Sequence, residues 1–132
     1  MKSACEFASE RSELLLRNFR ESLARQSKIS LQKAFHEAAS APAPRFWVSE
    51  ARAMRVISFM MKGEDVLDGM HTEKQQMYKE IYRRVMKIKS SEPDKPLGDI
   101  VFDVVNDTAP RSYLTPGYAQ KLIYHAKSSR SK

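Results

Sequence analysis

The chain has 132 residues, 42% hydrophobic, 30% charged and 9% aromatic, which excludes a disordered or fibrous protein and gives one domain, or two small ones, a core that needs no metal or disulfide. A lone Cys5 excludes an intramolecular disulfide or a paired-thiolate zinc site and fits a reducing cytoplasm. Twenty-three Lys and Arg against 16 Asp and Glu give +7, a charge that concerns polyanionic partners and solubility and not fold.

Taken in chain order, Met1-Lys2-Ser3-Ala4-Cys5-Glu6 reaches an acid before any apolar run, so no secretory signal and a cytoplasmic protein are expected. Helices are expected over about 10–26 and 31–40, then an extended arm over 42–48, then a helix over 49–62. Ser49 is its expected N-cap, Glu50 suits the first turn and Gly63 ends it. The longest apolar run, Val56-Ile57-Ser58-Phe59-Met60-Met61, falls far short of the roughly 20 residues a bilayer requires, so no membrane partner is expected. The stretch 63–69 reads as a hinge. Thr72 with Gln75 has the spacing of a capping box, opening a helix over 73–90 in which Tyr78, Ile81, Tyr82 and Val85 recur on one face. After a linker at 90–96, with Asp94 or Lys95 expected before a proline in the first helical position, comes the segment 97–106. A second arm covers 108–114. Thr115-Pro116 then starts the last helix, and 128–132 is expected to be a disordered tail.

An internal repeat organises these elements. At an offset of 66, Ala43-Pro44-Arg45-Phe46-Trp47-Val48-Ser49 lies over Ala109-Pro110-Arg111-Ser112-Tyr113-Leu114-Thr115, and five of the fifteen positions 43–57 are identical, where background composition gives about one. Five more are close substitutions, among them Trp47/Tyr113, Ser49/Thr115 and Arg55/Lys121. The expected fold is therefore all-α: two tandem, quasi-equivalent three-helix units, 1–66 and 67–132, each with an arm before its last helix. The repeat also decides an ambiguous segment. Leu97-Gly98-Asp99-Ile100-Val101-Phe102-Asp103-Val104-Val105 reads as a strand by β-branched content, but its counterpart at 31–39 is alanine-rich, so both are expected to be helical.

Three features bear on function. Each arm carries an arginine, an aromatic and a capped helix start. The aromatic can plug a gap between helices while the arginine binds the last carbonyls of a neighbouring helix; alternatively Arg45 or Arg111 closes over a phosphate at the helix N-terminus. Arg111 is the better phosphate candidate, because Glu50 would repel an anion at the first site and no acid follows Asp107. The second feature is that acid-free C-terminus, which holds Arg111, Lys121, Lys127, Arg130 and Lys132. With Tyr118, Ala119, Leu122, Ile123 and Ala126 facing the core, Lys121, Tyr124 and Lys127 share the outer face, an arrangement that suits a phosphate backbone with a base stacked on the ring or, equally, a solvated helix face. The third is the cluster Arg83, Arg84, Lys87 and Lys89, whose charge is partly taken by Glu80, on the same outer face four residues before Arg84. Together with Tyr113, these arginines, Lys121, Tyr124 and Lys127 form the candidate nucleic-acid-binding set. No catalytic, cofactor or metal constellation is expected: His36, His71 and His125 are scattered, and the glycines form no phosphate loop. Six of the seven methionines lie between Met54 and Met86 and read as adaptable core filler.

Segments such as Pro42-Ala43-Pro44-Arg45-Phe46-Trp47-Val48-Ser49-Glu50 and Tyr113-Leu114-Thr115-Pro116-Gly117 resemble those of small helical proteins of gut bacteria and their mobile elements. The resemblance covers most of the chain and implies a bacterial protein, with no activity or site residues attached. The first functional expectation is a non-enzymatic, basic nucleic-acid-binding protein dominated by backbone contacts. A helix-turn-helix from 31–40 and 49–62 has the right order but too long a connection. The alternative is a protein–protein adaptor or assembly component using the arms, for which an exposed patch at Phe46, Trp47 and Phe59 would speak. Self-association is compatible with either.

Overall fold

The computed structural model describes residues 7–130, with side chains through Ser128. Among them are six α-helices and no strand: α1 (Ala8–Arg25), α2 (Leu31–Ser40), α3 (Glu50–Met61), α4 (Thr72–Ser91), α5 (Leu97–Val105) and α6 (Pro116–Arg130). No helix is long and apolar enough to cross a membrane among the described residues. Cys5 and Lys132 lie outside the described residues, as does the Arg130 side chain. The expected disordered tail is corrected over 128–130, where α6 continues to Arg130, and 131–132 lie outside the described residues.

The starts of the helices follow local chemistry. Ser49 Oγ accepts from the Arg52 amide at 3.1 Å, and Thr115 Oγ1 accepts from the Tyr118 amide at the same distance. Each hydroxyl thereby satisfies one of the orphan donors of its helix. Ser30 caps α2 likewise through the Lys33 amide. Two expected starts differ. The capping box at Thr72 does not form: His71 is the cap, its Nδ1 accepting from the Glu73 amide, while Gln75 Nε2 donates to the Met70 carbonyl. Pro96 occupies the cap of α5 and not its first turn, so neither Asp94 nor Lys95 serves there. At the other end of α3, Gly63 adopts φ +79°, a conformation that disfavours any side chain, and its amide bonds the Met60 carbonyl.

The helices pack as two compact units that do not follow the midpoint of the sequence. One consists of α3, α4 and α5, in residues 44–109; the other consists of α1, α2 and α6, in residues 5–43 and 110–132. The chain passes from one to the other between Ala43 and Pro44 and again between Ala109 and Pro110, at the start of each repeated Ala-Pro-Arg segment. The 63–69 stretch is accordingly not a hinge between units. It joins α3 to α4 inside one of them and buries Leu67. Because α2 and α3 belong to different units and are separated by nine residues, they form no helix-turn-helix.

In the α1/α2/α6 unit, Leu15, Leu16 and Phe19 of α1 meet Ala34, Phe35, Ala38 and Ala39 of α2 and Ala119, Ile123 and Ala126 of α6. Phe19 and Phe35 stack with centroids 4.8 Å apart, contributing beyond the area they bury. Buried Ser22 donates to Glu37 Oε1, and Arg25 reaches the same oxygen at 3.2 Å, tying α1 to α2. The Ser22 hydrogen bond, helped by Arg25 and Lys33, holds the Glu37 carboxyl below the usual carboxylate range against its partial desolvation.

The α3/α4/α5 unit buries Ala53, Val56 and Ile57, Tyr78, Ile81 and Val85, and Ile100, Val101, Val104 and Val105. The last four recur at i, i+1, i+4 and i+5, so the β-branched residues of α5 line one helical face, and their packing outweighs strand propensity. Tyr78 is fully buried, and its hydroxyl accepts from Arg52 Nε at 3.3 Å. Burial pushes its phenol up despite that cation. Most methionines fill gaps as expected: Met77 is buried, Met54, Met60, Met70 and Met86 are half-buried, and Met61 is exposed.

Candidate functional site

The arms are structural in their first residues. In the first, Phe46 is fully buried and its amide donates to the Val105 carbonyl at the end of α5, 2.9 Å away. Trp47 and Val48 are buried beside it in sequence, so the exposed aromatic patch that would have favoured an adaptor is absent at Phe46 and Trp47. The Arg45 guanidinium donates to the carbonyls of Phe46 and Val48 in its own arm, at 3.1 Å each. The second arm makes the equivalent attachment with different chemistry. Buried Ser112, at the position of Phe46, donates its hydroxyl to the Ala41 carbonyl just past α2 at 2.9 Å. Tyr113 takes φ +56°, unusual for a residue with a side chain, and the Arg111 guanidinium lies 5.6 Å from its ring centroid. At the N-terminus of α6 beside it, Thr115 Oγ1 accepts from the Tyr118 amide.

Arg83 and Arg84 both bind Glu80, at 2.7 Å in their shortest contacts. Arg84 also donates to the Thr108 carbonyl at 2.9 Å and lies 5.1 Å from the Phe46 ring centroid, so this half-buried cation ties α4 to the segment after α5 and to the first arm. Hydrogen bonds from Arg83 and then Arg84 hold the Glu80 carboxyl below its usual range.

Lys121, Tyr124 and Lys127 are exposed on α6, as the helical spacing indicated. Tyr118 is not in the core. It is 45% exposed, beside Tyr124 at 46%, because the contact face of α6 is made by the small stripe Ala119, Ile123 and Ala126 with half-buried Leu122. Gly117, Tyr118, Gln120, Lys121 and Tyr124 line a shallow open groove of about 510 Å³. Its aromatic walls are held from the neighbouring helices. The Arg11 guanidinium of α1 lies 5.6 Å from the Tyr118 centroid, and Tyr124 meets Phe35 of α2 edge-on at 5.8 Å. Lys127 Nζ lies 5.8 Å from the Tyr124 centroid and 5.9 Å from that of Phe19.

Arg11 was not legible as a site residue, because periodicity does not tell which helix packs beside α6. Among the described residues, no group of three or more His, Cys, Asp and Glu is placed to hold a metal ion. No family model, curated protein or solved structure matches the chain.

Proposed function

We propose that the protein binds nucleic acid through phosphate-backbone contacts made by the α1/α2/α6 unit, and that it is not an enzyme. The observation that carries this reading is the partition of charge. Residues 5–43 and 110–132 hold eleven Lys and Arg against five acids, a net +6, whereas the remaining residues hold twelve against eleven, a net +1. Arg17, Arg20, Lys28, Lys33, Lys121 and Lys127 of the basic unit are all exposed. A polyanion gains from this concentration of cations by releasing its condensed counterions, whatever its sequence.

The 66-residue repeat supports a second part of the proposal, that the chain arose by tandem duplication with exchange of the third helix. Leu31 and Leu97 start α2 and α5, and Glu50 and Pro116 start α3 and α6, each pair 66 residues apart. The buried positions Ala34, Phe35, Ala38 and Ala39 fall on Ile100, Val101, Val104 and Val105. Under this reading each unit combines two helices of one half with the third helix of the other, and only one of the two has kept a strong positive charge.

The test is fluorescence anisotropy with labelled single- and double-stranded DNA and RNA across about 50 to 200 mM salt, where several phosphate contacts weaken affinity by orders of magnitude. Binding with a steep salt slope, weakened more by Lys121→Glu than by Lys74→Glu, supports the proposal. Equal effects would mean attraction by net charge alone, and no binding at the lowest salt would overturn it.

A further inference from the structure

Resting on that reading, we propose that the outer face of α6 is a stacking platform for an unpaired strand, with Tyr118 and Tyr124 each receiving a base and Lys121 the phosphate between them. Two half-exposed tyrosines flank a lysine at i, i+3 and i+6 on one open groove. Gly117 at its edge leaves the space clear, since an added Cβ there would meet nothing within 4 Å. The rings are positioned before any ligand arrives: Arg11 lies against Tyr118, and Phe35 and Lys127 lie against Tyr124. Such preorganisation reduces the ordering cost of binding.

Charge and spacing identify the occupant. The groove belongs to the unit of net +6, and no acid occurs in the chain after Asp107, so a negatively charged backbone meets no repulsion from α6. Six residues of helix separate the two tyrosines by about 9 Å along the axis, against the ~3.4 Å between successive nucleotides of one duplex strand. Bases seated on both rings must therefore be drawn apart, which an unpaired strand allows and a stacked, paired duplex does not. A duplex is left with phosphate contacts only.

The experiment compares labelled oligo(dT), oligo(U) and a duplex of equal length, bound to the full chain by anisotropy at fixed low salt. Tyr118→Ala and Tyr124→Leu should each weaken binding of the unpaired strands about tenfold, while duplex affinity stays within about twofold. Tyr118→Phe and Tyr124→Phe keep the rings and should bind as the parent does; they also separate loss of stacking from loss of the packing between Tyr124 and Phe35. Parent-like binding of unpaired strands by Tyr118→Ala and Tyr124→Leu, or equal losses on strand and duplex, would overturn the platform. If those variants are neutral while Lys121→Glu weakens both ligands, the platform alone falls and the backbone-binding reading stands. If the parent protein binds none of the three probes, both fall.

Discussion

Under the proposed duplication, the helices of the two units pair off 66 residues apart, and the last helix of each unit is used differently. In the α1/α2/α6 unit, the positions facing away from the core on α6 are Tyr118, Lys121 and Tyr124, and they line an open groove. The residues of α3 66 positions earlier are Arg52, Arg55 and Ser58, and Arg52, though exposed, donates to the buried Tyr78 hydroxyl of its own unit. The positions that hold each scaffold together correspond far more closely: Ser49 and Thr115 cap, Ala53 and Ala119 are buried, and Ile57 and Ile123 are fully buried. Packing and capping constrain what the buried and capping positions can hold, while the outward positions carry no such constraint.

The largest contrast expected on breaking this comparison lies in the arms. Phe46→Ala removes a fully buried ring and should cost about 3–5 kcal/mol of unfolding free energy. Ser112→Ala, at the corresponding position, leaves the Ala41 carbonyl without its hydroxyl donor and should cost only about 1–2 kcal/mol. Urea titration of both variants checks the ratio, and equal losses would show that the arms do not bear on the fold as their contacts indicate. Next in size is Arg84→Gln, which loses the Glu80 pair, the Thr108 carbonyl and the Phe46 ring. A loss of about 1–2 kcal/mol is expected, with nucleic-acid affinity unchanged. Weakened binding with intact stability would place the α3/α4/α5 unit at the interface instead.

The smallest effect is in acid, where each unit has one carboxylate held below its usual range: Glu37 by Ser22, and Glu80 by Arg83. Both lowered values contribute stability that is fully present above the ordinary carboxylate range and is lost as pH falls through the folded-state values, since the unfolded chain takes up the protons first. Ser22→Ala should therefore lower stability at neutral pH and flatten its decline below about pH 4.5, as followed by thermal unfolding across pH. Arg83→Ala should do the same more weakly, because that arginine is largely exposed. An unchanged acid limb in Ser22→Ala would remove Glu37 as its source.

The helix starts at Leu31, Glu50 and Pro116 were legible in the sequence because caps and repeated apolar positions are local signals. The match to the alanine-rich segment 31–39 pointed to a helix at α5 against its own strand propensity, and the segment is helical. Which helices pack together was not legible, since periodicity marks a buried face without naming what covers it. That omission hid the charge pattern. Divided at residue 66 the chain carries +3 and +4, whereas divided as it packs it carries +6 and +1. The exposure of Tyr118 is hidden for a related reason: it borders the apolar stripe of α6, and only the narrow contact made by Ala119, Ile123 and Ala126 shows that the stripe ends before it. The pairing of Glu80 with Arg84 is legible, because an acid four residues before a cation is visible in any helix.

The most direct test of the central claim, that one unit carries the binding surface, is an amide chemical-shift titration of the full chain with a short unpaired oligonucleotide. Shifts concentrated in α6 around Gly117 to Lys127 and in α1 around Arg11, with α3, α4 and α5 unchanged, are the expected result. Shifts centred on α3, α4 or α5 with α6 silent would contradict it.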